Sequence, residues 1–174
     1  MRIRARLTTA LAAAVAVVAI GGLTAPAASA SNSYTGAAYV GGSGAYYDDW
    51  WDEGILSTSS NAQSNATCLW QKVLWAEGLL DWADIDGIFG AKTATATKAF
   101  QTKANLNPDG SAGKDTFTYA GGGLADTDFD GAVDTYIAIF GTHTFNVWRN
   151  SDGHYDFYDD GVVKSAGYNY RTCS

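Results

Sequence analysis

The sequence predicts an α+β fold in which a unit of three short helices precedes a small antiparallel β-meander. Apolar residues recur with helical spacing between Cys68 and Ala120, whereas residues after Gly121 are rich in β-branched and aromatic types. Asp-Gly and Gly turns separate these segments. The chain has 174 residues, of which 47% are hydrophobic and 17% charged. This is a globular composition with room for one ordinary domain or two small ones.

The first predicted helix has apolar residues three and four positions apart, at Ala66, Leu69, Trp70, Val73 and Leu74. Ser, Thr and Asn residues between positions 57 and 65 offer its N-cap, and a glycine, Gly78, stands where a left-handed residue would end it. An Asp86-Gly87 turn follows. The pattern therefore predicts an amphipathic helix that needs a partner.

The second helix is predicted from a face made of Thr93, Ala96, Thr97, Phe100 and Ala104. Asn105 and then Pro108-Asp109-Gly110 break its pattern, and a short third helix is expected from Lys114 to Ala120. These segments place the helical unit at residues 61–120 and a β-rich part at 121–174.

One family shares this order of motifs. The matching residues are Trp70-Gln71, Asp86-Gly87-Ile88-Phe89-Gly90, Thr93, Ala96, Phe100-Gln101, Leu106, Asp109-Gly110, Gly113 and Thr116. Together they resemble the peptidoglycan-binding-like domain family, a three-helix cell-wall-binding module of secreted bacterial proteins, over about Asn65–Ala120. Thr97 stands where that family usually has Val, and Asn105 where it favours Gly, but neither residue interrupts the helical period.

The resemblance implies a ligand surface around the two Asp-Gly turns. Exposed polar groups there are expected to meet sugar hydroxyls or stem-peptide groups, namely Asp84, Asp86, Lys92, Gln101 and Asp109. Aromatic residues of the β part, Trp148, Tyr155 and Tyr158, are expected to add a face on which sugars stack. Most other motif residues are expected to form the core or tight turns.

The pattern of residues 1–30 predicts a secretory signal peptide. Three arginines precede an apolar run from Leu11 to Leu23, and Ala28-Ser29-Ala30 forms a small-residue cleavage signal. The uninterrupted apolar run is about a dozen residues, whereas roughly twenty are needed to span a bilayer. We therefore expect export with no membrane anchor after cleavage, which makes the mature protein secreted and cell-wall associated.

Charge and cysteine content support the same compartment. The formal net charge is −7, and loss of the three arginines of residues 1–30 takes it to −10. A chain this acidic, without a basic cluster, is not expected to bind nucleic acid or anionic lipid. Its two cysteines, Cys68 and Cys173, are expected to form a disulfide, because exported chains keep such pairs oxidised.

The segment at residues 31–60 is rich in Gly, Ser and aromatic residues, and it lacks a clean period. Its aromatic residues, Tyr46, Tyr47, Trp50 and Trp51, are too many for a solvated linker, so we expect them to pack against a later element. The short stretch Gly54-Ile55-Leu56 could form a strand.

The β part predicts several short strands. Residues Thr135 to Arg149 are predicted to form two strands, interrupted at Gly141-Thr142. Residues Asn150 to Gly153 are predicted to form a hairpin turn. Further strands are expected at His154 to Tyr158, at Val162 to Lys164 and at Tyr168 to Thr172. No recognisable motif indicates a function for the β part.

An acidic loop precedes the first of these strands. Asp126, Asp128, Asp130 and Asp134 occupy the first, third, fifth and ninth positions of a calcium-loop pattern whose sixth position is glycine. The twelfth position is Ile137, which lacks the carboxylate that calcium loops carry there. The loop is therefore either a weak, structural calcium site or an acidic turn, and no other cofactor is expected.

Three functions remain open from the sequence. The favoured one is a non-enzymatic protein that binds peptidoglycan through the helices, and the second is an interaction or inhibitor module whose β part binds another exported protein. A small cell-wall hydrolase is the third, since paired carboxylates are present. It is disfavoured because His143 and His154 are the only histidines and form no zinc-binding motif, while both cysteines are expected to be bridged.

Overall fold

A computed structural model describes residues 37–174, so the predicted signal peptide lies outside the described residues. The α+β fold is confirmed. Three helices are followed by five strands: α1 (Asn65–Ala76), α2 (Ala91–Lys103), α3 (Lys114–Gly121), β1 (Leu124–Ala125), β2 (Thr135–Ile137), β3 (Thr144–Arg149), β4 (Tyr155–Asp159) and β5 (Val162–Ser165). Two short 3₁₀ helices occupy Tyr46–Trp51 and Trp82–Asp84. Among the described residues, no helix has the length and apolar character needed to cross a bilayer.

Helix α1 begins and ends as its sequence predicts. The Ser64 hydroxyl accepts a hydrogen bond from the Thr67 amide at 3.0 Å, which satisfies one of the free donors of the first turn. At the other end Gly78 has φ +68°, and the Leu79 amide donates to the Leu74 carbonyl at 2.9 Å. Only glycine adopts this left-handed backbone without strain, so the helix stops here and the chain turns back.

The three helices share a core centred on Trp70. Its ring lies 5.4 Å, centroid to centroid, from the rings of both Phe100 on α2 and Phe117 on α3. The indole N–H donates to the Thr97 hydroxyl at 2.9 Å, so the one polar atom of this buried ring is satisfied. Thr97, which departs from the family pattern, therefore has a structural partner.

The strands form one antiparallel sheet in the order β1-β2-β3-β4-β5, which is the predicted meander with one added strand, β1. Side chains alternate between its two faces. Val147, Tyr155 and Phe157 are buried on the inner face, whereas Asn146 and Tyr158 are exposed on the outer face.

The predicted strand at Tyr168–Thr172 is wrong. This tail instead crosses the N-terminus of α1, where the Asn65 amide donates to the Tyr170 carbonyl at 2.8 Å and the Ala66 amide to the Gly167 carbonyl at 3.0 Å. The Asn65 side chain in turn accepts from the Thr172 amide at 2.8 Å. Because the free donors of a helix start take up the tail's carbonyls, the tail adds no strand to the sheet.

The N-terminal aromatic segment packs as expected, chiefly through Trp50, and Tyr46 is partly buried against the same core. Trp50 is 1% exposed, and its ring lies 5.9 Å from Phe117, 6.1 Å from Tyr136 and 5.5 Å from Tyr155. It therefore joins the helical unit to the sheet. Tyr47 and Trp51 stay largely exposed, and Leu56 forms an isolated β-bridge with Ala112 instead of a strand.

The predicted disulfide between Cys68 and Cys173 is confirmed, with the two Cα atoms 6.5 Å apart. It ties α1 to the end of the chain across 105 positions.

A second tie joins α1 to the sheet through Glu77, which is 3% exposed. One carboxylate oxygen accepts from the Tyr136 hydroxyl and the Ile139 amide, both at 2.8 Å, and the other accepts from the Phe140 and Gly141 amides at 2.7 and 3.1 Å. A Cβ atom on Gly141 would lie 2.1 Å from the Ala76 carbonyl oxygen, so glycine is required for this approach. The loop between β2 and β3 is thereby held against the end of α1.

Candidate ligand-binding groove

The first Asp-Gly turn is built around Gln71 of α1. The side-chain amide nitrogen of Gln71 donates to the Asp86 carboxylate at 2.9 Å and to the Thr93 hydroxyl at 3.1 Å. Its oxygen accepts from the amides of Asp86 and Gly87 at 3.0 and 2.7 Å. The Asp86 carboxylate also accepts from the Ile88 amide at 2.8 Å, which closes the turn on itself.

The second Asp-Gly turn repeats this arrangement around Gln101 of α2. The Gln101 nitrogen donates to the Asp109 carboxylate at 2.8 Å and to the Thr116 hydroxyl at 3.1 Å, and its oxygen accepts from the Gly110 amide at 2.8 Å. The Asp109 carboxylate also accepts from the Ser111 amide at 2.8 Å. Each glutamine thus fastens the turn that follows its helix.

This geometry shows what Asp86, Gln101 and Asp109 do within the fold. They were expected to meet a ligand, but Gln101 is 2% exposed, and its amide bonds join its own turn. Asp86 and Asp109 each use a carboxylate oxygen within their turns. A ligand would have to break these bonds to reach the glutamine, so the structure gives Gln101 a turn-fixing role. Ligand binding by Asp86 and Asp109 stays a prediction.

The two remaining polar residues of that set, Asp84 and Lys92, line an open groove of about 720 Å³ beside α2. One wall is the chain that turns back after Gly78, including the 3₁₀ helix Trp82–Asp84. The other wall is a face of α2 made of small side chains, Ala91, Thr95, Ala96 and Ala99. Small residues on one side and large ones on the other leave room for a ligand.

Three aromatic rings line the groove. Trp75 of α1 lies edge-on to Trp82, with the ring centroids 4.9 Å apart, and it stacks on His143 at 4.7 Å with the planes 7° apart. Trp82 is 50% exposed, and His143 is also exposed. Exposed indole faces in a concave site are the surface on which sugar rings and alkyl groups pack.

His143 comes from the β2–β3 loop, not from the helices. The Glu77 contacts position this loop, and the His143 amide donates to the Ala76 carbonyl at 3.3 Å. The β part therefore supplies one side of a groove that otherwise belongs to the helical unit.

Both charge signs occur in the groove. The Lys92 ammonium group lies 2.6 Å from an Asp84 carboxylate oxygen, and this hydrogen bond raises the pKa of Lys92. The Lys92 side chain is 76% exposed, so the pair is available to solvent and to a ligand. Asp81 adds a further carboxylate.

A second lysine supports the groove from beneath. The Lys72 ammonium group lies 4.3 Å from the centre of the Trp82 ring, and Lys72 is 2% exposed. Burial lowers its pKa, while Asp159 and Asp160 oppose this effect. The cation–π contact holds the Trp82 ring in place while its outer face stays open.

The helical segment that carries the groove resembles a known protein family. Residues 64–119 match the model of the putative peptidoglycan binding domain family. We call this segment the matched domain. It contains both glutamine-fastened turns and every groove residue except His143. No curated protein and no solved structure matches the chain.

The three β residues expected to bind sugars differ in position. Trp148 and Tyr158 lie next to each other on the outer face of the sheet, with ring centroids 5.0 Å apart. Tyr155 is fully buried on the inner face, where its hydroxyl donates to the Asp49 carboxylate. Tyr155 is therefore a core residue, because alternation along β4 points it away from solvent.

The acidic loop brings three of its four predicted ligands together. Carboxylate oxygens of Asp126, Asp128 and Asp130 lie within 4.8 Å of one another. Asp134 is not in that group and instead accepts hydrogen bonds from the Thr127 amide and hydroxyl at 2.9 and 2.8 Å. Calcium binding stays a prediction, to be checked by whether millimolar calcium raises the Tm.

Sequence reasoning missed Trp75, Trp82 and His143. A signal for the tryptophans was present, because Trp75 falls off the apolar face of α1 and Trp82 stands in a polar turn. Exposed aromatic rings that lie close together form the kind of contiguous apolar patch that marks a binding site. His143 had no such signal, since only the tertiary fold brings the β2–β3 loop to α1.

Proposed function

We propose that this protein is exported and binds the peptidoglycan of bacterial cell walls through the groove beside α2, without catalysing a reaction. One observation carries the proposal: an aromatic groove containing both charge signs lies on the surface of a domain that matches the putative peptidoglycan binding domain family. The disulfide and the predicted signal peptide support an extracellular location.

The groove suits the mixed chemistry of peptidoglycan. Its indole rings offer faces for sugar rings and for the alkyl parts of stem peptides. Lys92 would pair with a stem-peptide carboxylate, and Asp81 and Asp84 would accept from amides or an amino group. Because the Asp84–Lys92 pair is partly solvated, a ligand exchanges one weak ion pair for another, so we expect modest affinity.

A binding role also fits the state of the groove's charged residues. Lys92 is largely exposed and ion-paired, whereas general acids and bases are commonly tuned by burial. These features support binding over hydrolysis.

The test is retention on purified peptidoglycan sacculi stripped of accessory polymers. The chain from residue 31 onward should sediment with the sacculi, and Trp82→Ala should weaken its retention because the open ring is lost. Trp51→Ala is the matched control, since Trp51 is 51% exposed and lies outside the groove, whereas Trp82 is 50% exposed.

Two results would overturn the proposal. The first is a wild-type protein that stays in the supernatant across a range of salt, which would favour the alternative of a protein-interaction module. The second is equal retention of Trp82→Ala and wild type, which would remove the groove from the binding site.

A further inference from the structure

The outer face of strands β3 to β5 carries a second set of exposed aromatic and polar groups. Alternation and strand register place six side chains on it: Asn146, Trp148, Asp156, Tyr158, Val163 and Ser165. Tyr158 is 50% exposed, and Val163 is 48% exposed. None of these residues lines the groove beside α2.

Trp148 and Tyr158 form the centre of this face. Trp148 pairs with Asp156 across the β3–β4 ladder, so Tyr158 is its diagonal neighbour. The two ring planes are tilted by 51°, which leaves Tyr158 open on one side while Trp148 supports it. A sheet face of this kind offers a broad, rigid platform.

Asp156 lies beneath the platform and presents no free carboxylate oxygen to solvent. It is 8% exposed, and one carboxylate oxygen accepts from the Asn150 side-chain amide at 3.1 Å. Its other oxygen is buried and has no donor among the described residues. Because that oxygen is shielded from solvent, the hydroxyl groups of a ligand would bond instead to the exposed side chain of Asn146, which lies two residues from Trp148 on the same face.

The charge of this outer face limits the class of ligand that it can bind. The six residues include no lysine or arginine, and the basic side chains of these strands bond elsewhere: Arg149 to Asp49, and Lys164 to the Thr172 carbonyl. The chain as a whole has a net charge of −7. Polyanions would therefore be repelled, whereas an uncharged ligand with many hydroxyl groups and flat apolar faces fits both the rings and the exposed Asn146 side chain.

We propose that this outer face is a second binding site, specific for an uncharged glycan strand of β-1,4-linked N-acetylated sugars. The choice of sugar rests on the proposed function, because such a strand is the backbone of peptidoglycan. The groove, with its charged pair, would then contact stem peptides, while the sheet holds the strand itself. Two sites on one polymer raise overall retention well beyond that of either site alone.

The test uses a soluble probe without stem peptides, the hexamer of β-1,4-linked N-acetylglucosamine, titrated calorimetrically into the chain from residue 31 onward. Wild type should bind it, and Trp148→Ala and Tyr158→Ala should each weaken binding about tenfold, as expected for loss of one ring contact. Tyr158→Phe keeps the ring and should bind nearly as well as wild type. Trp51→Ala, which lies outside both sites, should bind the hexamer unchanged.

Thermal unfolding of each variant shows that the fold is retained. The inference is overturned if wild type does not bind the hexamer, or if both ring-removing variants bind it as tightly as wild type. The two proposals fail separately. Hexamer binding lost through Trp148 but sacculus retention unaffected by Trp82→Ala would overturn the groove alone, and the reverse pattern would overturn the sheet site alone.

Discussion

The two glutamine-fastened turns and the groove lie on the same helices but use their residues in opposite ways. In the turns, the polar side chains form hydrogen bonds within the fold. The side chain of Gln71 takes part in five such bonds, and that of Gln101 in four. In the groove, Trp82 and Lys92 keep half or more of their side chains open. The residues that make the sequence recognisable are therefore those that build the fold, and the residues free to bind lie between them.

Removal of the disulfide is expected to have the largest effect on the stability of both regions. In the chain-entropy model, a loop of this length should make the oxidised protein about 4–5 kcal/mol more stable than Cys68→Ser/Cys173→Ser. The first turn should suffer more than the second, because a Cβ on Gly87 would lie 2.5 Å from the Cys173 sulfur, and Arg171 donates to the Asp86 carbonyl at 2.8 Å. Urea denaturation measures the total loss of stability, and hydrogen exchange measures the difference between the two turns. Identical urea midpoints for the oxidised protein and the double variant would contradict this prediction.

A pH series should change stability without involving either region directly. Burial raises the pKa of Glu53 to about 8, although the Tyr168 hydroxyl and the Gly41 amide donate to it. Between the unfolded value of 4.5 and about 8, the folded protein binds more protons, so its stability falls as pH rises through that window. The loss should be on the order of 4 kcal/mol.

The check is the free energy of unfolding in urea at several pH values across that window. Glu53→Gln should flatten the pH dependence, although it is less stable overall because its amide meets two donors. A wild-type stability that is flat or rises with pH between these values would contradict the expected protonation of Glu53.

Removing one turn glutamine should cost stability and spare binding. Gln101→Ala leaves the buried Gly110 amide without its acceptor, at about 1–3 kcal/mol, whereas the exposed Asp109 carboxylate keeps the Ser111 amide as a donor. Thr102→Ala, at the exposed neighbouring position, is the control. At temperatures where Gln101→Ala is folded, its retention on sacculi should equal that of wild type. A stable variant with weakened retention would return Gln101 to the ligand site.

The smallest expected stability effect is that of Lys92→Ala. Exposed ion pairs contribute little to stability because solvent screens them, so the Tm should barely change. Sacculus retention should nevertheless fall, and the fall should shrink at high salt because screening weakens the same interaction in wild type. If the Tm drops while retention holds, Lys92 belongs with the turn residues and the contrast between the two regions fails.

The sequence predicts repeating local features well and tertiary approaches poorly. The helix ends at Ser64 and Gly78 followed from side-chain capping and backbone preference, which are local properties. The C-terminal tail was misassigned because its β-rich composition could not reveal that the start of α1 would take its carbonyls. The groove needed the β2–β3 loop, and no spacing along the chain indicates that His143 reaches Trp75.

The buried carboxylate of Glu77 bears on any attempt to use the helices as a portable affinity tag. A fragment cut at residue 120 would keep the matched domain but lose Tyr136 and the three loop amides that donate to Glu77, leaving its carboxylate without them. Trp75 would lose its stacking partner in the same cut. Water would solvate the exposed carboxylate of Glu77, but it would not restore the His143 side of the groove, so a working tag would have to carry residues 136–143 as well.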